Sequence, residues 1–187
     1  MTDIARAENP TPIVEGDIYK ACKAFILAYA LPALDPAHVI QGWQNRAALP
    51  PATNEYAVMS ILYDKQHGST VMLTDRDSGL TAIKGLIEVA VQIDFCSDDD
   101  TARQRTRRLA IVTSSCAGVH FFHDYGLSAL YADDARDISF VGDAKQFVRR
   151  WMTTLHLTLI EGVVVDFGYF DHVEMNRVEN VNVHHKP

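Results

Sequence analysis

The chain has 187 residues, 48% of them hydrophobic and 22% charged, a composition that fits one folded domain and excludes a disordered chain or a coiled coil. Lys and Arg number 17 against 24 Asp and Glu, a formal charge of −7, which argues against a surface that holds a nucleic-acid backbone over most of its area. An acidic surface still suits a protein that DNA must slide past without being gripped. Cys22, Cys96 and Cys116 are odd in number and widely spaced, so reduced thiols and a cytosolic product are expected. The polar start carries no secretory signal, and the longest apolar run, Ala24 to Leu34, is interrupted by Pro32 and too short to cross a bilayer, so no membrane role is expected.

In chain order, residues 1–16 read as an extended N-terminal segment with Pro10 and Pro12, residues 17–175 as a single domain, and residues 176–187 as a C-terminal tail with His184 and His185. Asp17 is placed to cap a first helix in which Ile18, Cys22, Phe25, Ile26 and Tyr29 share one face, ended by Pro32. Val39 to Trp43 reads as a short strand, and Pro50 and Pro51 separate it from an apolar and aromatic segment, Tyr56 to Tyr63. Gly68 and the cluster Asp75 to Gly79 mark a long loop or hairpin tip. Ile87, Val89, Val91, Ile93 and Phe95 then alternate with Glu88, Ala90, Gln92 and Asp94, the pattern of a strand in a sheet packed on one side.

Ser97, Asp98, Asp99 and Asp100 predict a helix start, since carboxylates there accept from unpaired amides and face the positive end of the dipole. The helix is expected to run to Ala117 and stop at Gly118, with Ala102, Leu109, Val112 and Cys116 inward and Arg103, Arg105, Arg107 and Arg108 outward. Val119 to Tyr125 reads equally as a short helix or a loop, closed by Gly126. The segment from Ser128 to Asp143 reads as a loop, anchored by Tyr131 and Phe140 or exposed for a partner. Gln146 to Ile160 alternates again, which predicts a last strand. Without regular βαβ alternation, the order implies an α+β domain: two main helices on a largely antiparallel or mixed sheet.

No phosphate-binding Gly-x-x-x-x-Gly-Lys, dinucleotide Gly-x-Gly-x-x-Gly, Gly-x-Ser-x-Gly elbow or His-Glu-x-x-His occurs. Cys116, His120 and His123 have the spacing of zinc ligands on one helix face, but Gly118 is expected to break that helix, leaving a buried Cys and two loop histidines. Asp94, Asp98, Asp99 and Asp100, with Asp133 and Asp134, are the residue types of a cation site for phosphodiester chemistry; helix capping accounts more economically for the triple Asp. Ser114 and Ser115 with His120, His123 and Asp124 match a hydrolytic triad in residue type alone. No catalytic, metal or cofactor residue is therefore assigned. A small metal-dependent hydrolase or nuclease built from these groups is the alternative.

Three stretches together resemble the neck or tail-terminator proteins of tailed bacteriophages. They are Tyr56 to Ser60 before a long polar hairpin, Val89 to Cys96 running into an acidic helix start, and Leu130 to Arg136 followed by Phe140 to Asp143 and a strand with Arg150 and Trp151. Ala135 stands where that pattern has a proline after the acidic pair. The resemblance implies a non-enzymatic structural protein of the virion, assembled in the host cytoplasm and lacking cofactors. It further implies a ring, expected to be of six copies, that ends the tail tube, meets a tail-tube protein and a head-completion or connector protein, and lets genomic DNA through. Docking of copies is expected through the acidic-to-basic helix, Asp98, Asp99, Asp100, Arg103, Arg105, Arg107 and Arg108, and through Tyr131, Asp133, Asp134 and Arg136 in the following loop.

Overall fold

A computed structural model describes residues 12–30, 35–42, 55–75, 78–141 and 147–166. The expectations for residues 1–11, Trp43, Pro50, Pro51, Asp143, the 175/176 boundary and the C-terminal histidines lie outside them.

Helix α1 (Glu15–Phe25) forms on the predicted apolar spacing and passes into a π-helical turn, Ile26–Ala30, burying Ile18, Cys22, Phe25 and Ile26 on the expected face. Its cap differs from expectation. Val14 is the N-cap residue and no side chain caps the helix; Asp17 lies in the first turn, where its charge faces the positive end of the dipole. A short 3-10 turn, Pro36–His38, leads to β1 (Val39–Gln41).

Three long strands carry the fold: β2 (Tyr56–Thr74), β3 (Leu80–Ser97) and β7 (Phe147–Asp166). Gly68 lies inside β2 instead of in a loop. It adopts a φ of 68° where the register slips between His67 and Val71, an irregularity that glycine absorbs without a Cβ clash. The hairpin turns beyond it, at Asp75 to Gly79, where Gly79 again has positive φ. A second slip lies between Ile61 and Tyr63, and there the Ile61 amide donates to the Tyr19 hydroxyl of α1 at 3.1 Å. The sheet order is β1-β2-β3-β7-β4, antiparallel except for β1 beside β2. This is the expected α+β architecture with a mixed, largely antiparallel sheet. The segment after Gly126 is not a plain loop. It supplies β4 (Ser128–Ala132), β5 (Arg136–Asp137) and β6 (Phe140–Val141), all paired to β7.

One helix was expected between residues 98 and 117, and there are two. Helix α2 (Thr101–Thr113) ends at Ser114, and α3 (Cys116–His123) begins after Ser115. Gly118 is buried within α3 and does not stop a helix. A Cβ there would meet the carbonyl oxygens of Val112 and Thr113, each at 2.6 Å, so glycine permits α3 to fold tightly against the end of α2. Gly126, at φ 73°, follows the end of α3.

The helices pack on the sheet face carrying Val89, Val91, Ile93, Phe95, Leu155, Leu157 and Leu159. Phe25 packs on Phe121 and Phe122 of α3, and Tyr29 on Phe121, with tilted or edge-on rings at centroid distances of 4.6–5.7 Å. Thr106 and Thr113 are buried in α2, their hydroxyls donating to the carbonyls of Ala102 and Leu109 at 2.8 Å.

Alanine usually stabilises a helix over glycine by about 0.5–1 kcal/mol. Gly118→Ala reverses that sign, because the added methyl overlaps backbone that cannot yield cheaply; a loss of about 1–3 kcal/mol is expected in urea unfolding.

Candidate functional site

Four of the eleven predicted interface residues, Arg103, Arg107, Asp133 and Asp134, line one groove. Its walls are α2, through Arg103, Arg107, Ala110 and Ile111, and the 132–135 segment, through Asp133, Asp134 and Ala135. Trp151 of β7 forms part of its lining, and the cavity measures about 590 Å³. Arg103 lies over the Trp151 ring, 5.5 Å from its centroid, a cation–π contact that holds the guanidinium at the rim. Residues 103, 107 and 111 are successive i, i+4 positions and make one ridge along α2. Its apolar member, Ile111, is 69% exposed.

Two of the three acids that precede α2 are engaged within the chain. Asp99 accepts from the Thr101 amide at 2.8 Å, and the Ser97 hydroxyl accepts from the Ala102 amide at 3.2 Å, so these two cap the helix. The Thr101 hydroxyl and amide hold the Asp99 carboxyl below its ordinary value. Asp100 pairs with Arg149, and Arg105 with Glu55, whose carboxyl this bond lowers against the opposing effect of burial. Asp99 and Arg103, four residues apart, do not pair, because Asp99 is held by Thr101. Asp98 is exposed, and Arg103, Arg107 and Arg108 have no ion pair among the described residues.

The opposite sheet face holds a polar network that the alternating pattern did not reveal, because the partners come from four strands. Glu88 and His156 are buried there. His156 Nδ1 is 2.6 Å from one Glu88 oxygen, and His67 bonds the other. Tyr131 stacks on His156 with centroids 4.2 Å apart, and His156 Nε2 lies 3.4 Å from Asp133. The bonds from His67 and His156 keep the Glu88 carboxyl below its ordinary range. Nearby, buried Asp94 accepts from Gln92 at 3.0 Å and from Arg150 at 2.8 Å. Tyr131 and Phe140 are both exposed, so neither anchors its segment in the core. Asp134 and Arg136 are exposed.

Cys116, His120 and His123 lie on the one helix α3, which Gly118 does not break as expected. Cys116 is exposed, not buried as expected, because the break at Ser114 and Ser115 turns α3 out of line with α2. Among the described residues no three of His, Cys, Asp or Glu converge as a metal ion requires. The Ser115 hydroxyl donates to the Val112 carbonyl at 2.6 Å. No helix is long and apolar enough to cross a membrane among the described residues.

Residues 16–187 match the model of the phage neck terminator protein family, and the chain belongs to that family. It is thus a structural protein of the bacteriophage neck, associated with other virion proteins. No curated protein matches the sequence significantly.

Burial pushes the Cys22 thiol up to about 12 and also raises Cys96. In the folded protein a maleimide should label Cys116 alone, and Cys116→Ser should stay unlabelled until denaturant is added; mass spectrometry reads both.

Glu55, Glu88 and Asp99 bind protons less readily in the folded chain than in the unfolded one. Each adds stability that is complete above its ordinary value, 4.5 for the glutamates and 3.8 for Asp99, and is lost as pH falls through the lowered value. Urea midpoints should therefore fall between about pH 6 and about pH 3, less steeply in Glu88→Gln. Equal slopes would contradict the Glu88 contribution.

Proposed function

We propose that this chain closes into a ring of six at the phage neck, ends the growing tail tube, and joins it to the head connector with DNA passing through the centre. The match over residues 16–187 carries this reading. Closed symmetry is the usual way identical subunits finish an assembly instead of extending it. The formal charge of −7 disfavours tight retention of DNA in a lumen. The ridge and groove of α2 supply a charged surface with an apolar floor, the composition of a specific contact between proteins. The subunit performs no catalysis, and assembly takes place in the host cytoplasm before the ring enters the virion.

Light-scattering mass and negative-stain images of the purified protein should show a closed ring of six subunits. A lysate lacking the protein should accumulate separate DNA-filled heads and tails, some of irregular length, and added protein should join them. Infectious particles from the deletion would overturn the assignment.

A further inference from the structure

The sheet is longer than the helical layer that covers it. Beyond Ile87 and Leu159, the face that packs the helices over the body continues as a three-stranded arm, built from β2 after Leu62, β3 before Ile87 and β7 after Leu159. Apolar residues persist on it. Met72, Ile83 and Val163 stand directly opposite one another across the three strands, and Met72 and Val163 are each 56% exposed. Next to this row, Gly85 opposite Glu161 leaves a hollow of about 360 Å³, lined on one side by Pro12 of the N-terminal segment. Glu161 is exposed and has no ion pair among the described residues.

The α2 ridge has the complementary composition. Arg107 stands one helical turn from Ile111, about 5–6 Å between Cβ atoms, and Glu161 is separated from the Gly85 position by about 5 Å. A charge beside a hollow therefore meets an opposite charge beside a knob at matching spacing. The two surfaces lie far apart on one chain: Trp151 at the groove and Val163 on the arm are twelve residues apart on β7, about 40 Å. One copy cannot satisfy both, and a contact between unlike surfaces is the kind that closes rings.

We infer that the bare arm of one copy receives the α2 ridge of the next, with Ile111 in the hollow at Gly85 and Arg107 against Glu161. The occupant is a second copy of this chain, and the inference rests on the ring reading above.

Glu161→Arg and Arg107→Glu should each weaken assembly about tenfold or more by sedimentation, and the double charge swap should restore most of it. Gly85→Leu is an independent probe. The three atoms nearest a Cβ at residue 85 are Gln66 side-chain atoms at 3.6–3.8 Å, ordinary contact distances, so the variant should fold, fill the hollow and fail to assemble. Circular dichroism checks that each variant is folded. A wild type that stays monomeric at all concentrations overturns the ring reading and this contact with it. Normal rings from Gly85→Leu, or a double swap no better than the single variants, leave the ring standing and overturn the contact.

Discussion

The pairing of β3 with β7 is the constraint on which the rest of the molecule depends. It runs without a slip from Leu80 opposite Asp166 to Ser97 opposite Arg149. Because side chains alternate in a strand, a one-residue shift would exchange the two faces along the whole length. The penalty would be severe at both surfaces, since one carries Val91, Ile93, Leu155 and Leu157 into the helical core, while the other carries Glu88, Asp94 and His156. Only one register gives those buried charges their partners, Glu88 with His156 and Asp94 with Arg150. The polar network therefore helps to specify register, a role better supported physically than a net gain in stability from buried ion pairs.

Much of this frame was legible in the sequence because period-two alternation is strong in residues 87–95 and 146–160, and helical spacing is strong in residues 18–26. The boundaries were less legible where two local signals competed. Gly68 has the composition of a turn, yet the flanking residues pair across it, and the glycine is absorbed as an irregularity inside β2. Gly118 has the composition of a helix stop, but its function is steric, and the clash it avoids involves backbone from a different helix. No sequence window contains that information. The short strands β4, β5 and β6 were hidden for a related reason: they are only two to five residues long and are held by β7, farther along the chain.

The candidate site was legible as composition and not as geometry. The acidic and basic residues from 98 to 108 suggested one polar gradient, whereas the structure divides them by role. Asp99 caps, Asp100 and Arg105 pair within the chain, and the ridge on α2 is left with Arg103, Arg107 and Ile111. The groove joins this ridge to Asp133 and Asp134, which the sequence had singled out separately. His67 and Glu88, by contrast, gave no signal, because an exposed-looking histidine and a glutamate 21 residues away become neighbours only through strand pairing.

This division of roles bears on the proposed assembly of an acidic chain with itself. An exposed charge pair within a subunit contributes about 0–1 kcal/mol and does little for stability, so the pair of Asp100 with Arg149 is better understood as removing charges that would otherwise repel or mispair at a contact. What remains exposed is then selective: on α2, cations beside an apolar knob; on the arm, a carboxylate beside a hollow. Apolar surface alone would let copies associate in many registers, and charge alone would be screened within about 10 Å at moderate salt. In the proposed contact the two are set side by side at matched spacing and make one register better than the rest, and a single repeated register is what a closed assembly of identical subunits demands.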